Sequence, residues 1–256
     1  MLVQARWLDP REHAGLPIAD SVWIPASELP NRVLELPSKR NVVWIADTGD
    51  EARAAQRFLE SIGYRVELGT DFVSGERLRT RLWSPSPYLE WIVPQIPPCD
   101  SLDLACGSGR DVVFLADRGF SSVGIDHLPD ALEMGRRLAD RYLDEPERAS
   151  FIRADLETHE PLRTYGLVTC FSYLDRDLLA RIDRFVRPGF WFAMETFTTV
   201  HRETFGKPRS DNHILFPGEL RGLLDRFDLI HYDEDWHGDR HTARAWVRVL
   251  RQDSTT

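Results

Sequence analysis

The stretch that decides the fold is Leu102-Asp103-Leu104-Ala105-Cys106-Gly107-Ser108-Gly109-Arg110-Asp111. An apolar, strand-like run containing one acid ends in two glycines and opens onto an amphipathic segment. Glycines let backbone approach a ligand closely, and free N–H groups at a helix start receive a carboxylate or a phosphate. A dinucleotide-binding turn needs a third glycine three residues after Gly109, and Val112 stands there, where its branched side chain would obstruct a pyrophosphate. No Gly-Lys-Ser/Thr follows, which excludes a nucleotide P-loop. Asp103 suits a cationic or amine-bearing ligand better than a phosphate.

Working outward, the pattern alternates strand and helix. Strands are expected at 101–106, 122–125, 150–153, 166–171 and 190–195, and helices at 110–118, 129–142, 175–185 and 217–227. That rhythm implies an α/β fold with a parallel sheet covered on both faces. Segments 228–232 and 242–250 are separated only by a polar loop, too short for a crossover, so they should pair antiparallel at the end of the sheet. Before this region, Pro85, Pro87, Pro94, Pro97 and Pro98 crowd into a short span that disfavours helix. The expected organisation is a small domain over 1–70, a linker over 71–98 and a larger domain over 99–256. The small domain reads as α/β, with strands at 2–8, 21–24, 41–46 and 64–68 and a helix at 51–62.

Two further acids sit at expected strand tips. Asp126 ends Val123-Gly124-Ile125-Asp126, 19 residues after Gly107, where a carboxylate can accept from both hydroxyls of a ribose. Asp155, in Arg153-Ala154-Asp155-Leu156, offers an acceptor for an exocyclic adenine amine. Three acids at successive tips, with the glycine turn between them, describe a site for a nucleoside without phosphates, at the edge where open α/β sheets bind ligands. Structural readings stand beside these: Asp103 as a turn cap, and Asp126 as the cap of the helix that follows it.

The 256 residues are 42% apolar and 29% charged, ordinary for a globular protein. A net charge of −9 gives no electrostatic footprint for nucleic acid. Cys99, Cys106 and Cys170 form neither a disulfide framework nor a metal knuckle, pointing to a reducing cytoplasm. No run reaches the ~18 apolar residues of a membrane helix, and the first residues lack the apolar core of a signal peptide.

Residues 83–251 resemble class I S-adenosylmethionine-dependent methyltransferases, and within them the tellurite-resistance (TehB-like) branch. The stretches that carry the resemblance are LDLACGSGRDVVFLA, VGIDHLPDAL, RADLE, YGLVTCFSYLDRDLLARIDRFVRPGFWFAMETFT and FGKPRSDNHILFPGEL. The resemblance implies a Rossmann-like sheet, S-adenosylmethionine as cofactor and methyl transfer to a small-molecule acceptor, with a chalcogen oxyanion as one candidate. The cofactor positions it implies are Asp103, Ala105, Gly107, Gly109, Asp126, His127, Asp155, Leu156 and Phe171. Trp83 and Tyr88, in LWSPSPYLEWI, would help cover the cofactor. Pro188-Gly189-Phe190 departs from the usual Pro-Gly-Gly, which touches a turn before the fifth strand rather than the cofactor.

A base is needed only for an acceptor that carries a proton, and Tyr173, Asp175 and Glu195 are the catalytic candidates near the fourth and fifth strand ends. Packing for Tyr173 and helix capping for Asp175 are the structural alternatives. The insertion 196–216 carries His201, Arg202, Lys207, Arg209 and His213, in the manner of a lid for an anionic acceptor or of a solvated loop. His237 and His241 flank Gly238-Asp239-Arg240, which reads as a turn, so no metal is expected. A protein that senses S-adenosylmethionine without catalysis is the reading from a different class.

Residues 1–70 resemble a shortened rhodanese-like domain through RWLDPREHAGLPIADSVWIPASEL and NVVWIADTGDEARAAQRFLESIGYRVEL. Active members place a cysteine at the end of the central strand, where surrounding N–H groups lower its pKa. Ala46 and Asp47 stand there, and Asp50 and Glu51 would repel an anionic sulfur donor. Docking of a partner protein, dimer contact, contact with the second domain and presentation of substrate all remain open for this module. Thiosulfate and cyanide should therefore yield no thiocyanate with this protein, and measurable turnover would overturn the reading of that loop.

Overall fold

A computed structural model describes residues 1–13, 16–75 and 79–250. Parts of the expected linker (76–78) and of the expected second domain (251–256) lie outside the described residues. The chain divides into two units, Met1–Pro85 and Ser86–Thr256.

Unit 1 holds β1 (Val3–Gln4), β2 (Trp7–Asp9), β3 (Ser21–Trp23), α1 (Leu29–Arg32), β4 (Val42–Ala46), α2 (Asp50–Ser61), β5 (Arg65–Gly69) and β6 (Thr80–Arg81). Its main sheet runs β3-β2-β4-β5, all parallel, while β1 and β6 form a separate parallel pair. The strand expected over 2–8 is thus two strands in two sheets. α2 buries Ala52, Ala55 and Leu59, at helical spacing, among Leu8, Val43 and Ile45. At the tip of β4, Asp47 has a left-handed φ of 103° and its Oδ1 accepts from the N–H groups of Thr48 and Gly49 at 2.6 and 3.2 Å. Two N–H groups of this loop are therefore engaged by the chain's own carboxylate.

Unit 2 opens with α3 (Pro87–Ile92) and continues through β7 (Asp100–Leu104), α4 (Arg110–Asp117), β8 (Ser121–Asp126), α5 (Pro129–Tyr142), β9 (Ala149–Arg153), β10 (Tyr165–Phe171) and α6 (Arg176–Ala180). It ends with β11 (Val186–Phe197), α7 (Thr199–Phe205), α8 (Glu219–Leu223), β12 (Asp228–His237) and β13 (Arg240–Arg248). The seven strands lie in the order β12-β13-β11-β10-β7-β8-β9. Six strands share one direction, and β13 alone is reversed, running antiparallel to both β11 and β12. The mixed α/β sheet closing in an antiparallel hairpin is as the sequence implied. Two helices are shorter than expected: α6 gives way to a 3-10 turn at Ile182–Arg184, and α8 spans Glu219–Leu223 only. Residues 71–98 supply β6 to unit 1 and α3 to unit 2.

One face of this sheet is apolar. Leu102, Leu104, Val168, Cys170, Phe192, Met194, Ala245 and Val247 pack with Leu178, Leu179, Leu220 and Leu224 of α6, α8 and the turn after α8. On the other face α4 sits close to β8. Val112, the residue that replaces the third glycine, is fully buried, and the close approach is provided by the strand instead. A Cβ on Gly124 would lie 2.7 Å from Cys106 Sγ and 2.8 Å from Val112 Cγ2. Gly124→Ala should accordingly destabilise unit 2 by about 1–3 kcal/mol through overpacking, read as a lowered midpoint in urea unfolding.

Candidate functional site

The chain runs from β7 outward to β8 and β9, then returns to the other side of β7 for β10 and β11. Order reverses between β7 and β10, and in open α/β sheets the crevice at the carboxyl ends of such strands is where ligands bind. The glycine turn leaves β7 at this point. Ala105 takes a left-handed φ of 56°, Gly107 one of 53° and Gly109 one of 72°. The two glycines serve different ends. A side chain at Gly107 would meet open space, so this N–H-bearing backbone is accessible, whereas a Cβ on Gly109 would strike the ring of Phe151 from β9.

Asp126, at the tip of β8, is buried, and its carboxylate is already oriented by the backbone. Oδ2 accepts from Gly107 N–H and Oδ1 from Leu128 N–H, each at 2.9 Å. His127 lies beside it with Nδ1 3.5 Å from Oδ1 and its ring mostly exposed. Asp155 is exposed beyond β9 and caps the local turn, accepting from Glu157 N–H at 3.0 Å, while the adjacent Leu156 is buried in the core. Asp103 is buried in β7, and the Thr169 hydroxyl of β10 donates to it at 2.7 Å. Burial pushes its carboxyl well above the usual carboxylate range, reinforced by Asp111 and Asp126. Asp103, Ala105, Gly107, Gly109, Asp126, His127 and Phe171 thus gather about the tips of β7, β8 and β10, with Asp155 and Leu156 following the next strand along.

Among the catalytic candidates, Asp175 is an N-cap. Its Oδ1 accepts from Asp177 N–H at 2.9 Å and Leu178 N–H at 3.0 Å, fixing the start of α6. Tyr173 packs partly buried against the apolar core, and burial raises its hydroxyl to about 12. Glu195 is buried on β11 directly opposite Phe171 in the ladder, in an ion pair with Arg244 at 3.1 Å. The insertion after β11 is pinned at its base rather than hanging free. Leu215 N–H donates to Phe197 O and Thr199 N–H to Leu215 O, both at 2.9 Å. Arg176 grips the same segment through both oxygens of Glu219, at 2.6 and 3.0 Å, and through Ile214 O at 3.0 Å. Arg202 is spent on Asp211 at 2.5 Å.

Three sets of contacts were not read from the sequence. Asp111 lies in the first turn of α4, where an acid is routinely explained by the helix dipole. Its Oδ1 accepts from Ser86 N–H at 2.6 Å, tying the start of α3 to α4. Burial pushes its carboxyl up to about 6, with Glu195 and Glu90 adding to the rise. Tyr88 of α3 is buried with its hydroxyl 2.9 Å from His231 Nδ1, its ring edge-on to Phe171 and under the Arg244 guanidinium. His237, set aside as a turn residue, bonds Asp233 through Nε2 at 2.6 Å and the Thr242 hydroxyl through Nδ1 at 2.7 Å. Its neighbour His241 bonds Thr198 instead. Among the described residues no cluster of histidine, cysteine and acids has the makings of a metal site.

With this geometry in view, residues 102–189 match the family described as a methyltransferase domain. The matched stretch lies within unit 2 and covers about a third of the chain. No curated protein matches the chain. Among solved structures, TehB from Haemophilus influenzae is similar at 16% identity and a TM-score of 0.54, over 64% of this chain and 62% of that one. The chain therefore spans under two thirds of the TehB structure's length. An S-adenosylmethionine-dependent methyltransferase from Methanosarcina mazei is similar at 18% identity and a TM-score of 0.52, over 66% of this chain and all of that one. The glycopeptide N-methyltransferase MtfA, solved with S-adenosylmethionine, follows at 16% and 0.51, over 64% and 93%. At these identities the likeness is one of fold.

The Asp111 carboxyl of unit 2 has a measurable consequence. Its pKa is raised from the ordinary 3.8 to about 6 on folding, so the folded chain holds the proton more tightly than the unfolded one. Its contribution is fully present below pH ~4 and is lost as pH rises through ~6. Asp111→Asn keeps an oxygen for Ser86 N–H and removes the ionisation. Its thermal midpoint relative to the parent should therefore climb between pH 4 and pH 7, and a difference that is flat across that interval would refute the shift.

Proposed function

We propose that the chain is an S-adenosylmethionine-dependent methyltransferase acting on a small nucleophile at the carboxyl edge of unit 2. The observation that carries this reading is the Asp126 carboxylate. It is held at the tip of β8 by Gly107 N–H, beside a glycine turn whose outer side is open and which lacks the third glycine of a pyrophosphate site. A carboxylate has lone pairs beyond the two so engaged, and these would take the ribose hydroxyls. Asp155 and Leu156 would border the adenine, and the acidic surroundings of Asp103 and Asp111 suit a ligand bearing an ammonium and a sulfonium. When bound, S-adenosylmethionine supplies a methyl group on a sulfur that is already positive. The residues' task is then alignment and exclusion of water, which is worth up to roughly 7–11 kcal/mol.

Of the candidate bases, Glu195 is best placed, since Asp175 is committed to capping α6. The chalcogen-oxyanion acceptor has support from resemblance alone. Arg176, Arg202 and Arg244 each already hold an acid, and we favour an uncharged acceptor carrying a proton, such as a thiol, hydroxyl or amine. Unit 1 is read as a degenerate rhodanese-like module serving a partner or the substrate, in a cytoplasmic protein.

Calorimetry tests the cofactor. S-adenosylmethionine should bind the full chain, and Asp126→Ala should weaken it by about 1–3 kcal/mol through unpaired ribose hydroxyls. Unchanged affinity would remove Asp126 from the site. S-adenosylhomocysteine accumulating with an acceptor panel supports the enzyme, whereas tight binding without turnover across thiols, phenols and amines supports a sensor.

A further inference from the structure

A line of buried polar side chains runs across the terminal strands and has no part in the reading above beyond its first member. It begins at Glu195, opposite Phe171 at the tip of β10. The Thr242 hydroxyl donates to Glu195 Oε1 at 3.0 Å. His237 Nδ1 lies 2.7 Å from the same hydroxyl, and His237 Nε2 lies 2.6 Å from Asp233 Oδ2. Glu195 and Thr242 are buried, the side chain of His237 is 14% exposed and that of Asp233 42%. A hydrogen-bonded path therefore leads from the strand tip to water.

The direction of these bonds is constrained. A threonine hydroxyl has one proton, and here it goes to Glu195, so Nδ1 of His237 must donate to the threonine oxygen. A proton then lies between Nε2 and Asp233. The same four groups, with the same number of protons, have a second consistent arrangement. In it Glu195 is protonated and donates to Thr242, Thr242 donates to Nδ1, and Nε2–H donates to an ionised Asp233. Passing from the second arrangement to the first moves one proton from Glu195 to Asp233 by breaking one O–H or N–H bond and forming another at each link.

We propose that Glu195, Thr242, His237 and Asp233 form a proton exit wire for the methyltransferase site. This rests on the proposed methyl transfer to an acceptor bearing an X–H bond. In that reaction the X–H electron pair becomes the X–C bond, the C–S pair stays on sulfur and one proton is released. Glu195 receives that proton, and the wire delivers it to Asp233 and then to solvent. Arg244, ion-paired to Glu195 from β13, holds the carboxylate, and Asp111 of α4 and Tyr88 of α3 lie within its electrostatic reach. His237, Thr242 and Asp233 are positioning residues that act through Glu195.

The wire is read directly by nitrogen NMR of the full chain labelled at histidine, without any acceptor. In the parent, His237 Nδ1 should carry a proton. In Glu195→Gln the amide oxygen is claimed by Arg244 and the amide nitrogen donates to Thr242, whose hydroxyl must then turn to Nδ1. The ring should switch to the form protonated at Nε2 alone. Thr242→Val should also change the Nδ1 signal, and Thr242→Ser, which keeps the hydroxyl, should preserve the parent spectrum. Identical His237 signals in the parent, Glu195→Gln and Thr242→Val would overturn the proposal. With any thiol, phenol or amine that the parent methylates, Thr242→Val should lower kcat by on the order of 10–100-fold, leave KM for S-adenosylmethionine unchanged and be restored by serine. An equal loss in Thr242→Ser would also overturn it. Failure of S-adenosylmethionine to bind, by contrast, would sink the methyltransferase reading while the spectra still judged the wire.

Discussion

One carboxylate ties together the two strand ends on which the site depends. Asp126 accepts from Gly107 on the turn after β7 and from Leu128 on the turn before α5, both at 2.9 Å. A buried acid accepting two backbone donors is held in a fixed orientation, and charge-assisted bonds of this kind are stronger than neutral ones. The turn from Ala105 to Gly109, left-handed at Ala105, Gly107 and Gly109, has few internal bonds of its own. It is anchored by this contact, by Cys106 N–H to Ile125 O at 3.0 Å, and by Gly109 N–H to Cys106 O at 3.0 Å. The geometry of the turn is thus set largely by its neighbour strand.

Around that anchor the site concentrates negative charge in a place with little water. Asp103 and Asp111 are both driven toward their neutral forms, chiefly by burial and then by one another or by nearby acids. Such an arrangement costs stability unless something positive arrives, and sites with carboxyls so perturbed are where ligand chemistry tends to lie. Farther along the edge the charges are balanced instead, with Glu195 matched by Arg244 and Glu219 by Arg176. The crevice is therefore acidic at the glycine turn and electrically quiet near β11.

Much of unit 2 was legible from the sequence because its signals are local. The 2-versus-3.6 alternation marked β7 through α5, and α5 spans the expected 129–142. The short polar loop between β12 and β13 announced the antiparallel closure. What escaped depends on contacts distant in sequence. The tight helix–strand approach came from Gly124, whose partner Val112 was read only as an obstruction. Asp111 drew no reading of its own, because the partner that marks it, Ser86, lies 25 residues earlier. Tyr88 and His231 are 143 residues apart, and no spacing rule pairs them. In unit 1 the apolar run 2–8 carried no mark showing that its first half pairs with Thr80–Arg81 and its second half with β3 and β4.

The grip of Arg176 on the segment after β11 bears on how the crevice tolerates acid. A guanidinium keeps its charge at any pH a cell meets, and Glu219 is held below its ordinary range by that same arginine and by Phe216 N–H despite its partial burial. The brace consequently survives mild acidification that would neutralise a looser carboxylate. The end of the insertion is thereby braced against α6 across that range.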